Sequence, residues 1–198
     1  MAYKNIMERS IVGENDKVSI IEYQPSWPND FEKISNKIKS LLGDNICGIE
    51  HIGSTSIPNM PAKDIIDIQL AVKDFSGLDL IDNKLSSVGF ELIENFKQDH
   101  VPFKEPECFE VGYEKRFFKG YIDDLECNLH VRVLNAENWN YAVDFRDFLI
   151  DNENVSIAYA QIKERISSTK VNLRDYCLIK DPVCDLIYLL FVNWKENV

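Results

Sequence analysis

The stretch IEHIGSTSIPNMPAKDIIDIQLAV, residues 49–72, decides the fold. It joins two short apolar runs through a polar loop that opens Gly53-Ser54-Thr55-Ser56 and closes on Lys63. An aspartate, Asp67, then stands in the middle of the second run. Strand alternation puts Ile66, Ile68, Leu70 and Val72 on one face, and Ile65, Asp67, Gln69 and Ala71 on the other. Asp64 points away from Asp67, so the two do not form a carboxylate pair. An acid within a buried strand is costly unless it is paired or holds a cation.

A second run, LECNLHVRV at 125–133, alternates more cleanly. Leu125, Cys127, Leu129, Val131 and Val133 share one face; Glu126, Asn128, His130 and Arg132 share the other. If this strand pairs with 64–72, Asp67 meets Glu126, Asn128 or His130 across the sheet. Two readings compete: a half-exposed sheet with a solvated polar face, or the floor of a site. The loop favours the site. Gly53 frees the backbone, and a Ser/Thr run after a strand offers donors to an anion.

Working outward, SWPNDFEKISNKIKSLLG (26–43) predicts a helix with Ser26 as cap, Pro28 in its first turn and Gly43 at its stop. KVSIIEY (17–23), ICGIEHI (46–52) and FELIE (90–94) read as strands, and 76–89 as a helix with Ser76 and Asp79 as a capping box. Residues 95–111, with Pro102 and Pro106, form an irregular excursion. YEKRFFKG (113–120) and 125–133 are strands around a turn at Asp123 and Asp124. From about residue 136 the pattern is helical, in segments 136–150, 153–167, 171–180 and 182–195, the last two split at Asp181-Pro182. The order implies an α/β (α+β) core with a helical C-terminal layer. Residues 1–17 read as a tail and 18–198 as one domain.

The 198 residues are 45% hydrophobic with a net charge of -11. That balance argues against nonspecific nucleic-acid binding and an anionic membrane surface. The start lacks an apolar signal-peptide core, and the apolar run Leu186–Trp194 is too short to span a bilayer, so a cytoplasmic location is expected. Five cysteines without a CxxC pair read as reduced thiols. The apolar positions of the last helix read as core or as a self-association face for a homo-oligomer.

YQPSWPNDFEKI, IEHIGSTSIPNMPAKDIIDI, RFFKG, NLHV, FRDFL and AYAQIKERI, in this order from about residue 18 to 182, resemble the GrpB family within the nucleotidyltransferase superfamily. The resemblance implies a nucleotidyltransferase-like mixed β-sheet with flanking helices. It also implies metal-dependent transfer of a nucleotidyl or phosphoryl group from a nucleoside triphosphate to a small acceptor. Asp67 and His130 would be catalytic, and Asp67, Gln69, Glu126 and His130 would hold Mg²⁺ or Mn²⁺. Gly53, Ser54, Thr55, Lys63, Arg116 and Arg146 would bind the phosphorylated ligand. His51 and Lys119 match further motif positions, and Lys163, Tyr176 and Lys180 are outer candidates. Read alone, His51 serves equally to orient the loop, and Lys163 in IKER reads as a solvated charge. Arg116 and Lys119 are three apart in a strand, so at most one enters a pocket. Arg146 is expected to keep its guanidinium for a distant partner rather than for Asp144 or Asp147. The superfamily pattern has a second acid where this chain has Gln69, so the alternative is a non-catalytic binder of nucleotides or phosphometabolites.

Overall fold

The computed structural model describes residues 17–104 and 108–196. The expected tail therefore lies almost wholly outside the described residues. Five strands form one mixed sheet: β1 Gly48–Ile52, β2 Ile66–Val72, β3 Glu91–Leu92, β4 Arg116–Ile122 and β5 Leu125–Val133. Their order is β1-β2-β5-β4-β3. β2 and β5 run parallel, with Asp67 opposite Asn128 and Gln69 opposite His130. The remaining neighbours are antiparallel. Asp123 and Asp124, both at positive φ, turn β4 into β5 as a tight hairpin requires.

Alternation gives the sheet two unlike faces. Ile66, Ile68, Leu70, Cys127, Leu129, Val131 and Phe118 are buried on one face beneath α1 (Trp27–Leu42) and α2 (Leu78–Ser87). Trp27 anchors α1 through its indole N–H, which donates to Asp64 Oδ1 at 2.8 Å. The opposite face carries the polar side chains and is covered by α3 (Glu137–Asp151), α4 (Glu153–Ser168) and α5 (Leu173–Glu196). These helices have their own core of Phe148, Leu149, Tyr159, Ile187 and Phe191, joined by Ile57 and Met60 from the loop after β1. The expected mixed sheet with flanking helices and a helical C-terminal portion is present. No helix among the described residues is long and apolar enough to cross a membrane.

Three local expectations change. KVSIIEY makes only isolated bridges, Lys17 to Asn172 and Ile21 to Ala62. The capping-box role of Ser76 goes to Gly77, in a left-handed conformation, while the Ser76 hydroxyl turns to Asp74. The helix expected to break at Asp181-Pro182 runs through as α5. Pro182 offers no N–H to the Leu178 carbonyl, a defect costing about 3 kcal/mol in a helix interior. Tyr176, Cys184, Ile187 and Phe191 are buried along the helix on both sides of it, and that packing offsets the loss.

Gly120 in β4 sits under Phe90, so close that a Cβ there would lie 2.5 Å from the ring. Gly120→Ala should destabilise the protein by about 1–3 kcal/mol, the usual cost of overpacking. Urea unfolding should show it as a lower midpoint with an unchanged slope.

Candidate functional site

The polar face and the helical layer enclose a cavity of about 340 Å³. Its walls are the turn after β1, the start of β2, the C-terminal half of β5, residues 99–100 of the excursion, and α3, α4 and α5.

The turn is built around Gly53, at φ 71° and ψ −171°, followed by a single 3-10 turn over Ser54–Ser56. Gly53 lies against Asp67: a Cβ there would be 2.5 Å from Asp67 Oδ2. Position 53 therefore needs glycine both for its conformation and for its neighbour. The Ser56 hydroxyl donates to the Gly53 carbonyl at 2.6 Å, closing the turn. Thr55 is buried with its Oγ1 3.0 Å from His51 Nε2. His51 itself falls on the opposite sheet face, in register with Ile68, and stacks on Phe31 at 4.7 Å between ring centroids. Burial pushes its imidazole down to about 4. His51 thus braces the turn from behind, as a neutral ring.

Asp67 opens on the cavity with 30% of its side chain exposed. Its Oδ1 accepts from Asn128 Nδ2 at 2.8 Å and lies 3.9 Å from His130 Nε2, longer than a hydrogen bond. Burial pushes this carboxyl upward, but His130, Lys63 and Asn128 outweigh that effect and hold it below the usual range. Burial brings His130 down to about 4, against the pull of Asp67. At neutral pH the pair is a carboxylate beside a neutral imidazole.

Gln69 is fully buried. Its Oε1 accepts from Arg132 Nη1 at 2.6 Å and its Nε2 donates to the Trp139 carbonyl at 3.3 Å. Arg132 Nε donates to Asp99 Oδ2 at 2.8 Å, and Lys115 Nζ donates to Asp99 Oδ1 at 2.5 Å. Asn138 Nδ2 donates to the same Asp99 Oδ2 at 3.0 Å. Asp99 is held far below the usual carboxylate range because the charges of Arg132 and Lys115 overcome its burial. Asp99, Arg132 and Asn138 escaped the sequence reading. Arg132 carried a signal, since it shares the polar face of 125–133. Asp99 sits in an excursion without periodicity, where no pattern points to it.

The other expected residues divide. Lys63 borders the cavity. Arg146 also borders it, but its Nη1 donates to Glu50 Oε2 at 2.9 Å and to the His51 carbonyl at 2.8 Å, and its Nε donates to Asp147 at 2.7 Å. Its guanidinium thus has a partner distant in the chain, Glu50, but is also held by the adjacent Asp147, which was not expected. Arg116 is in register with Val131, on the α2 side of the sheet, 3.6 Å from Asp82, and does not line the cavity. Lys119 and Glu126 border a second, separate hollow beside Lys63 and Asn128. Lys163, read as a solvated charge, is instead buried, its Nζ donating to Ser54 Oγ at 2.7 Å. Tyr176 and Lys180 join it on the helical wall, along with Tyr141 and Tyr159, while Tyr113 lines the cavity from the segment before β4.

The donors expected to hold Mg²⁺ or Mn²⁺ are not assembled. Gln69 has given its oxygen to Arg132, and Glu126 faces the other hollow. Among the described residues no three His, Cys, Asp or Glu side chains come together as a metal site. A hard divalent cation needs several oxygen ligands, and Asp67 supplies the only carboxylate of the expected set on this cavity.

Removing the Asp99 carboxylate would leave Arg132 and Lys115 buried without their counter-ion. Breaking such a pair from one side costs about 3–5 kcal/mol. Asp99→Ala should therefore lower the chemical-denaturation midpoint sharply, and far more than Asp147→Ala at an exposed position.

Residues 17–189 match the family model described as GrpB protein. The UPF0157 protein BH1888 of Halalkalibacterium halodurans is 33% identical over 165 residues, covering 81% of this chain and 77% of that protein. The dephospho-CoA kinase of Mycobacterium bovis is 28% identical over 208 residues, covering 98% of this chain. The chain spans 50% of that kinase's length. The crystal structure of the conserved protein GrpB from Enterococcus faecalis superposes with a TM-score of 0.74 at 24% identity, covering 90% of this chain and 99% of that one, and so shares the fold. On the extent of the family match and the relationship to BH1888, the chain belongs to the GrpB family.

Proposed function

We propose that the cavity binds a phosphorylated small molecule, with its phosphate at the Gly53–Thr55 turn. One observation carries this reading. The buried Lys163 donates from its Nζ to Ser54 Oγ of that turn, Lys63 lines the same cavity near Asp67, and among the described residues neither makes a close ion pair. Buried or half-buried cations without counter-ions are costly and favour an anionic ligand. Ser54 Oγ accepts from Lys163 and keeps its own proton as a neutral donor for the same group. The tyrosine-lined wall gives the remainder of a ligand an apolar surface with polar tips. Matching half of a protein named dephospho-CoA kinase is in keeping with a phosphorylated ligand. Because the metal donors do not fit, the reading involves no metal ion.

Nucleotidyl or phosphoryl transfer is a second reading, and Asp67 favours it. A carboxylate held ionised between the turn and a neutral His130 is suited to orient an acceptor hydroxyl. Mass analysis of products formed from nucleoside triphosphates would support transfer if product appears and Asp67→Asn abolishes it.

Calorimetric titration with pyrophosphate, AMP and ATP should give saturable binding. Lys63→Met should weaken it about tenfold, equivalent to about 1.4 kcal/mol. Arg116→Met, on the far side of the sheet, should leave it unchanged. Equal effects of the two substitutions, or no saturable binding, would remove this reading.

A further inference from the structure

Lys163 is the cavity group least provided for by the fold. Its side chain is 2% exposed, its Nζ donates to Ser54 Oγ at 2.7 Å, and it lies 5.2 Å from the centre of the Tyr159 ring. The charged and titratable groups acting on it are Asp67 from β2, Lys180 and Cys184 from α5, and Tyr159 and Glu164 from its own helix. No carboxylate among the described residues pairs with it directly.

The cavity wall as a whole is positive. Setting aside Arg146, whose guanidinium is held by Glu50 and Asp147, four cationic side chains border it (Lys63, Arg132, Lys163 and Lys180) against three carboxylates (Asp67, Asp99 and Asp181). With histidines counted as uncharged, the wall carries a net +1 when Lys163 is protonated, inside a chain whose net charge is -11.

Resting on the phosphorylated-ligand reading, we propose that the cavity selects a phosphate monoester dianion over a phosphodiester or carboxylate, and that Lys163 takes up a proton as the ligand binds. A monoester carries about −1.5 to −2 at neutral pH, its second ionisation lying at about 6. Its second charge gives it the stronger pull on a proton at the buried Lys163. A diester carries a single negative charge and pulls less on that proton, so Lys163 stays a neutral amine beside it.

The proton follows from the free state. Burial, reinforced by Lys180, brings the Lys163 ammonium down to about 7. Above that pH much of the free protein has a neutral amine at this position. An adjacent dianion restores the ammonium, so binding draws a proton from solution. Affinity should fall as pH rises above about 7, approaching tenfold per unit, because the proton becomes scarcer. It should also fall below about 6, where the monoester becomes a monoanion.

AMP and 3′,5′-cyclic AMP share base and sugar and differ in phosphate charge. Titrating the full chain with each at about pH 8, in two buffers of different ionisation enthalpy, reads affinity and proton uptake together. AMP should bind at least about tenfold more tightly, with uptake approaching one proton. Lys163→Met should abolish the uptake and remove most of the discrimination. Lys163→Arg, a fixed cation, should retain AMP binding without uptake. Equal affinity for the two nucleotides, or AMP binding without proton uptake, would overturn this inference and leave phosphate binding intact. Absence of binding by pyrophosphate, AMP and ATP alike would remove the reading beneath it as well.

Discussion

Parallel pairing of β2 with β5 lays a row of polar side chains across the sheet and then roofs it with helices. Asp67, Gln69, Asn128, His130 and Arg132 fall together because both strands alternate in phase. Buried polar groups must find partners or destabilise the fold. At one end of the row Asp99 meets the need, accepting from Arg132, Lys115 and Asn138. The irregular segment after β3 has this work to do, and a regular element would not bring Asp99 to that point. Toward Asp67 the row stays partly open, and the cavity runs along it, bordered by Arg132 and Asp99 as well as by the turn after β1.

The two ends divide their labour by charge. Arg132 and Lys115 are neutralised within the protein, which makes that end a rigid support. Lys163 makes no ion pair among the described residues, and Lys63 acts on Asp67 only beyond ion-pair contact. Asp67 lies between the two regimes, bonded to Asn128 yet exposed to the cavity. The acidity of the whole chain does not prevent a locally positive wall, because net charge sums over a surface whose parts face different ways.

Gln69 shows why a motif read along one strand misleads about chemistry. The amide stands where the superfamily pattern has a second acid, and in sequence it reads as a weakened metal ligand. In three dimensions it is the partner of Arg132 and the bridge to the Trp139 carbonyl. A carboxylate at 69 would face Arg132 and compete with Asp99 for it, so the amide and the buried aspartate belong together. Lys163 errs in the opposite direction. Its neighbours in IKER are charged, yet the helix presents this one residue to the turn after β1.

Alternation, apolar periodicity and turn residues determined most of the elements, because these signals are local and repeat within each segment. The same alternation foretold which face of residues 64–72 and 125–133 would line the cavity, and the Gly-Ser-Thr turn borders it. Contacts between distant segments were beyond that reach. The strand order, the arrival of Asp99 under Arg132, the commitment of Arg146 to Glu50 and the burial of Lys163 each join residues far apart in the chain. Pro182 obeys its local rule as a helix breaker only until packing on both sides outweighs one missing hydrogen bond. Sequence determined what each segment prefers alone; tertiary packing decided which cations were left without a counter-ion, since that depends on every neighbour at once.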